Sequence, residues 1–188
     1  MAIVAIVIIV IVVALLVILI MWGIGVQNKL VKADEISKNA LKQINVQQVS
    51  RFDALKALVK LTREYAEYEG KTLTDVIGAR SLAHSASPSV EDINKNEALL
   101  SNLTTQVTAV AEQYPNLKAS DGYTNTMKDI KGYEENVRLA RMTFNDTVTR
   151  FNNQVRMFPG SVVARMLGFA PKEYLAEDTS KTEYPDII

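Results

Sequence analysis

Glu134 and Arg141 stand seven residues apart in an apolar stripe, and Phe144-Asn145 and Phe151-Asn152 repeat a heptad later. Glu69 and Arg80 sit on a corresponding stripe earlier in the chain, and Glu112 lies between the two. Carboxylates on inward helix faces can hold metal ions, but the known bundle sites add Glu-x-x-His motifs from facing helices. This chain has a single histidine, His84, near the end of a helical stretch where a capping side chain is ordinary. It has no cysteine, no glycine-rich phosphate loop and no Ser/His/Asp set in one place. No catalytic, cofactor-binding or metal-ligating residue is therefore expected, and the chain reads as a non-enzyme without a cofactor.

The remaining chemistry of these residues is structural. Glu134 and Arg141 are beyond the reach of an i to i+4 pair, so each is expected to find a partner on a neighbouring helix. Ion pairs of that kind can select one helix register. Asn145 and Asn152 are expected to hydrogen-bond between helices, because a half-buried amide needs partners. Tyr65, Tyr68, Tyr114 and the phenylalanines read as core.

Long helices must position these groups. Leu41, Ile44, Gln48, Phe52, Leu55, Val59, Thr62, Ala66, Glu69, Leu73, Val76 and Arg80 recur at steps of three and four, which predicts one helix over about 28–85, with a break at Gly70 as the alternative. In "SASPSVED", Ser87 can cap a second helix with Pro88 at its first position. Ile93, Leu100, Leu103, Val107 and Val110 mark that helix, which stops before Pro115. Ser120 or Asp121 caps a third, carrying Met127 through Phe158 and ending at Pro159-Gly160. A short helix over 161–167 closes on Gly168, and a polar tail follows from about residue 176. The predicted fold is all-α: a transmembrane helix, then an antiparallel, coiled-coil-like bundle of three long helices and a short C-terminal one.

The first 22 residues, "MAIVAIVIIVIVVALLVILIMW", carry no charge, and the first charged side chain is Lys29. Such a run spans about 30 Å as a helix, the thickness of a bilayer's hydrocarbon core. It lacks the basic start and small-residue cleavage site of a signal peptide. Residues 1–26 are thus expected to be a retained anchor, with Trp22 at the interface. Lys29, Lys32, Lys38 and Lys42 follow the span against Asp34 and Glu35, which points the body to the cytoplasm and the N-terminus outside. The 21 basic and 21 acidic residues cancel, so no nucleic-acid partner is expected.

With the elements placed, the chain resembles the LemA family of bacterial membrane proteins. The matching residues are "RFDALKALV" (51–59), Glu69 eleven residues before Arg80, "EQYPNL" (112–117), Glu134 with Arg141, "FNDTV" (144–148), "FN" (151–152), "FP" (158–159) and "GF" (168–169). The series spans most of 27–175. Gln27-Asn28 stands where the family usually has tyrosine before asparagine, and Phe144 and Phe151 occupy positions that are commonly tyrosine. The resemblance implies a short outer N-terminus, one span and a helical domain over 27–175 facing the cytoplasm. It implies fold and place rather than a reaction.

Helix lengths add one expectation. A second helix over 88–114 reaches back along the first only to about residue 60, leaving 28–58 as an unpartnered stalk. Val31, Ile36, Leu41, Ile44, Phe52 and Leu55 lie on that stalk and would form a self-association face. The function expected is a membrane-anchored scaffold that forms homo-oligomers and organises membrane or recruits other membrane proteins. The alternative is a small-ligand or signal-binding module, with a polar pocket near Arg141, Asn145 and Asn152.

Overall fold

A computed structural model describes residues 1–65 and 87–176. The elements are α1 (Ala2–Tyr65), α2 (Val90–Gln113), α3 (Pro115–Lys118), α4 (Asp121–Arg156) and α5 (Gly160–Met166). The fold is all-α, with no strand among the described residues. Glu69, Arg80, His84, the break considered at Gly70 and the tail beyond residue 176 lie outside the described residues.

Local chemistry sets the helix ends. The cap of α2 is Ser89 and not Ser87, because Asp92 lies three residues beyond Ser89 and completes a capping box: the Asp92 N–H donates to Ser89 Oγ at 3.1 Å and the Ser89 N–H donates to Asp92 Oδ2 at 2.9 Å. Ser120 caps α4, its Oγ accepting the Tyr123 N–H at 3.3 Å. The stretch expected as a plain connection contains α3, a single turn opened by Pro115 that buries Leu117 completely. Gly168, at φ 75, ends α5 as expected: the Phe169 N–H reaches the Ala164 carbonyl at 2.9 Å and the Gly168 N–H reaches Arg165 at 3.3 Å.

Packing divides the chain into two units, one of Met1–Lys38 with Asp146–Lys172 and one of Asn39–Asn145 with Glu173–Ile188. In the second unit α1 supplies Phe52, Leu55, Leu58 and Val59 to a core shared with Leu100, Leu103 and Val107 of α2, Leu117 of α3, and Tyr123 and Ile130 of α4. Here α2 runs parallel to α1, since Gln48 meets Ile93 and Arg51 meets Glu97 and Thr104. The antiparallel neighbour is α4, with Gly122 against Leu61 and Glu134 against Arg51. The expectation that the second helix folds back along the first is therefore corrected. Burying Ile93 and Leu100 beside the Gln48 to Leu55 stretch requires the parallel direction.

The free stalk is corrected with it. At 36 residues, α4 is long enough to supply side chains to the core of the second unit and to that of the first. Ile44 and Leu55 are fully buried and Phe52 nearly so, all within their own chain, and Leu41 is half-buried. Val31 and Ile36 stay exposed. In the first unit Leu30 packs with Phe151 and Val155 of α4 and Ala164 of α5, with Val26 and Phe169 at the edge of the cluster. The Phe151 and Phe169 rings meet edge to face, centroids 6.1 Å apart. From Ile3 to Met21, every isoleucine, leucine, valine and methionine of α1 is exposed.

Candidate functional site

Among the described residues of the second unit the most buried charge is Arg51, whose side chain is 2% exposed. α1 places it one heptad after Ile44 and one before Leu58, both fully buried, so its guanidinium emerges inside the core. Glu97 of α2 accepts from Nη1 at 2.7 Å and Glu134 of α4 accepts from Nη2 at 2.5 Å. Thr104 Oγ1 lies 3.4 Å from Nη2, and Gln48 donates both to Glu97 at 3.1 Å and to the Ile93 carbonyl at 3.0 Å. Removing one cation from water costs several kcal/mol, which two charge-assisted hydrogen bonds of this geometry offset. Both carboxylates keep about 30% side-chain exposure, so their own desolvation is partial.

This triad links three helices in one register. Glu134 thus finds a partner on a neighbouring helix, and that partner is Arg51. Sequence reasoning missed Arg51, because an arginine at a seam position reads as surface. The seven-residue spacing from Ile44 and to Leu58 was the signal that could have found it.

The other seam residues divide. Arg141 Nη2 donates to the Ala176 carbonyl at 2.6 Å and to Asn94 Oδ1 at 3.3 Å. Asn145, in the same unit, gives its amide N–H to the Leu175 carbonyl and accepts the Leu175 N–H, each at 3.0 Å. Glu112 is exposed and takes no place in the buried seam, because it falls on the outer side of the last turn of α2. Glu69 and Arg80 lie outside the described residues.

In the first unit Asn152, 2% exposed, holds Lys172 in the same two-bond manner, donating to its carbonyl at 2.9 Å and accepting its N–H at 2.8 Å. The Lys172 ammonium then lies 2.6 Å from the Asp34 carboxylate, donates to Ser37 Oγ, and sits 4.9 Å above the Phe151 ring centroid. Burial would raise the Asp34 pKa, but hydrogen bonds from Lys172 and Lys38, with their charges, outweigh it and hold the carboxyl below the usual aspartate value.

Asn145 in the second unit and Asn152 in the first each hold main chain of the non-helical stretch that follows α5, where helix-to-helix bonds were expected. The groups expected to line a polar ligand pocket, Arg141 with these two amides, are engaged by residues 172, 175 and 176. That segment carries no period in the sequence, and nothing in its composition marks it as bound. Among the described residues, no three His, Cys, Asp or Glu side chains come close enough together to share a metal ion.

The profile of the LemA family matches residues 40–188. The chain belongs to the LemA family. Arg51, Glu97, Glu134, Arg141, Asn145, Asn152 and Lys172 all fall inside the matched region. Protein LemA of Metamycoplasma hominis is 24% identical over 151 residues, covering 77% of this chain and 66% of that protein. Magnetosome protein MamQ 1 of Paramagnetospirillum magneticum is 28% identical over 92 residues, 46% of this chain and 34% of its own length. Magnetosome protein MamQ of Magnetospirillum gryphiswaldense is 28% identical over 76 residues, 40% of this chain and 28% of that one. The LemA-family chain thus spans about a third of the length of the MamQ relatives it matches.

Proposed function

We propose that this LemA-family chain is a non-enzymatic scaffold, held in the bacterial cell membrane by the apolar part of α1, that self-associates and organises membrane or recruits partners beside it. The observation that carries this reading is the uninterrupted exposure of the large apolar side chains from Ile3 to Met21. A helix of that length and hydropathy, none of it buried in the protein, matches the hydrocarbon core of a bilayer. The buried charged groups favour a structural body over a reactive one, since Arg51, Glu97 and Glu134 are spent on joining helices. Lys29 and Lys32, just beyond the apolar run, favour a cytoplasmic body with the N-terminus outside.

Self-association falls to the exposed remainder of the expected face, Val31 and Ile36. The chain contains no cysteine, so single replacements report cleanly. In oxidised native membranes Ile36→Cys is expected to crosslink to dimers and Ile44→Cys is not, because Ile44 is fully buried in its own chain. If Ile36→Cys stays monomeric where a known membrane dimer crosslinks, self-association through this face fails. Release of the chain by alkaline carbonate overturns the anchor.

A further inference from the structure

The turn between α4 and α5 exposes apolar side chains that the first unit's own core does not use. Phe158 is 83% exposed, Met166 82% and Met157 63%, with Val162 also open. An aromatic ring left in water forgoes a large apolar burial, and a cluster of such side chains on one turn marks a contact surface. Its surroundings name the partner. All four residues belong to the unit that contains the apolar part of α1. Within that unit Asn152 lies level with Asp34 and Ser37 through Lys172, whereas Val155 and Ala164 lie level with Leu30 and Val26. α4 therefore advances toward the apolar end of α1. Three residues past Val155 and two past the end of α4, Phe158 comes up to about 4.5 Å nearer that end, level with about residues 23–27, between the apolar run and Lys29.

The charges agree. Residues 1–33 contain Lys29 and Lys32, residues 147–171 contain Arg150, Arg156 and Arg165, and neither stretch contains an aspartate or glutamate. All five cations are exposed. The nearest acid along α1, Asp34, is already paired with Lys38 and Lys172. An apolar turn flanked by Arg156 and Arg165, in the same unit as a lipid-length helix, has the make-up of an interfacial membrane contact.

We infer that the α4–α5 turn is a second lipid contact: Met157, Phe158 and Met166 dip into the interface of the leaflet from which α1 emerges, while Arg156, Arg165 and Lys29 bind the phosphates of anionic headgroups. The inference rests on α1 being a membrane anchor and adds a site at which lipid composition acts on the folded body. A protein docked on the turn is the rival occupant, and pure lipid separates the two.

Trp22 is the single tryptophan, so Trp22→Phe gives a silent background for Phe158→Trp. The full chain is reconstituted into vesicles of phosphatidylcholine and phosphatidylglycerol with brominated acyl chains, and alkaline-carbonate resistance is read on the same vesicles. The indole at position 158 is expected to lose about half its emission, as placement at the acyl boundary implies. One at position 43, introduced by Gln43→Trp on the exposed side of α1, should lose almost none. Quenching should weaken in phosphatidylcholine alone and in the Arg156→Gln, Arg165→Gln variant. If the chain resists carbonate while position 158 is quenched no more than position 43, the lipid contact is overturned and the anchor stands. Equal quenching with and without the anionic lipid overturns the role of the arginines, and release by carbonate overturns the anchor and this contact together.

Discussion

Arg51 is shared between two carboxylates, so losing either one leaves it paired. Glu97→Ala or Glu134→Ala alone should each cost about 1–2 kcal/mol, the scale of one charge-assisted hydrogen bond. Removing both strands a guanidinium that is 2% exposed and should cost about 3–5 kcal/mol, more than the sum of the single changes. Chemical denaturation of the full chain in detergent, arranged as a double-mutant cycle, measures the coupling; strictly additive losses would show that the arginine is not shared. Asp34 gives a pH signature. Burial pushes its carboxyl up, the bonds and charges of Lys172 and Lys38 pull it down further, and the net result lies below its ordinary 3.8. A carboxylate depressed on folding adds stability that is complete above its unfolded pKa and disappears as pH falls through the folded one. Asp34→Asn should therefore lower the melting temperature at neutral pH and make little difference in acid below the carboxyl's folded pKa. A gap of equal size at both would mean that the ion pair is not its source.

At the scale of elements, the period of apolar residues revealed the helices but not their directions. A stripe on α2 reads the same whether the helix runs up or down its neighbour, and only the pairing of Gln48 with Ile93 and of Arg51 with Glu97 and Thr104 decides it. The start of α2 was half legible: serines flank Pro88, and Asp92 sits at the reciprocal distance from only one of them. Least legible was the segment held by Asn145 and Asn152, since an extended stretch bound through its main chain leaves no repeat in its letters. The two asparagines were recognisable as groups in need of partners, but the partners were sought on helices. The observed grip makes a local prediction. Asn152→Asp keeps an acceptor for the Lys172 N–H but cannot donate to its carbonyl, and Asn152→Ala can do neither. In hydrogen exchange the Lys172 amide should lose roughly tenfold protection or more in the alanine variant, as loss of a buried hydrogen bond implies, while Leu175, held by Asn145, keeps most of its own. Unchanged exchange at Lys172 would mean that the amide grip is not what holds it.

For the molecule as a whole, a net charge of zero conceals a sorting that only folding makes visible. Counted along the chain just after the apolar run, four lysines stand against two acids, an excess of only two. The fold of the first unit adds Arg150, Arg156 and Arg165, more than a hundred residues distant in sequence, to the unit that carries Lys29 and Lys32. Asp34, an acid of the same unit, is tied to Lys38 and Lys172. The grip of Asn152 carries one more consequence. Its carboxamide touches the main chain of Lys172, and Asn145 treats Leu175 alike, so neither contact depends on the exposed side chains of Glu173 and Tyr174 between them. The path of the segment is thus inherited through its main chain and a pair of asparagines on another part of the sequence.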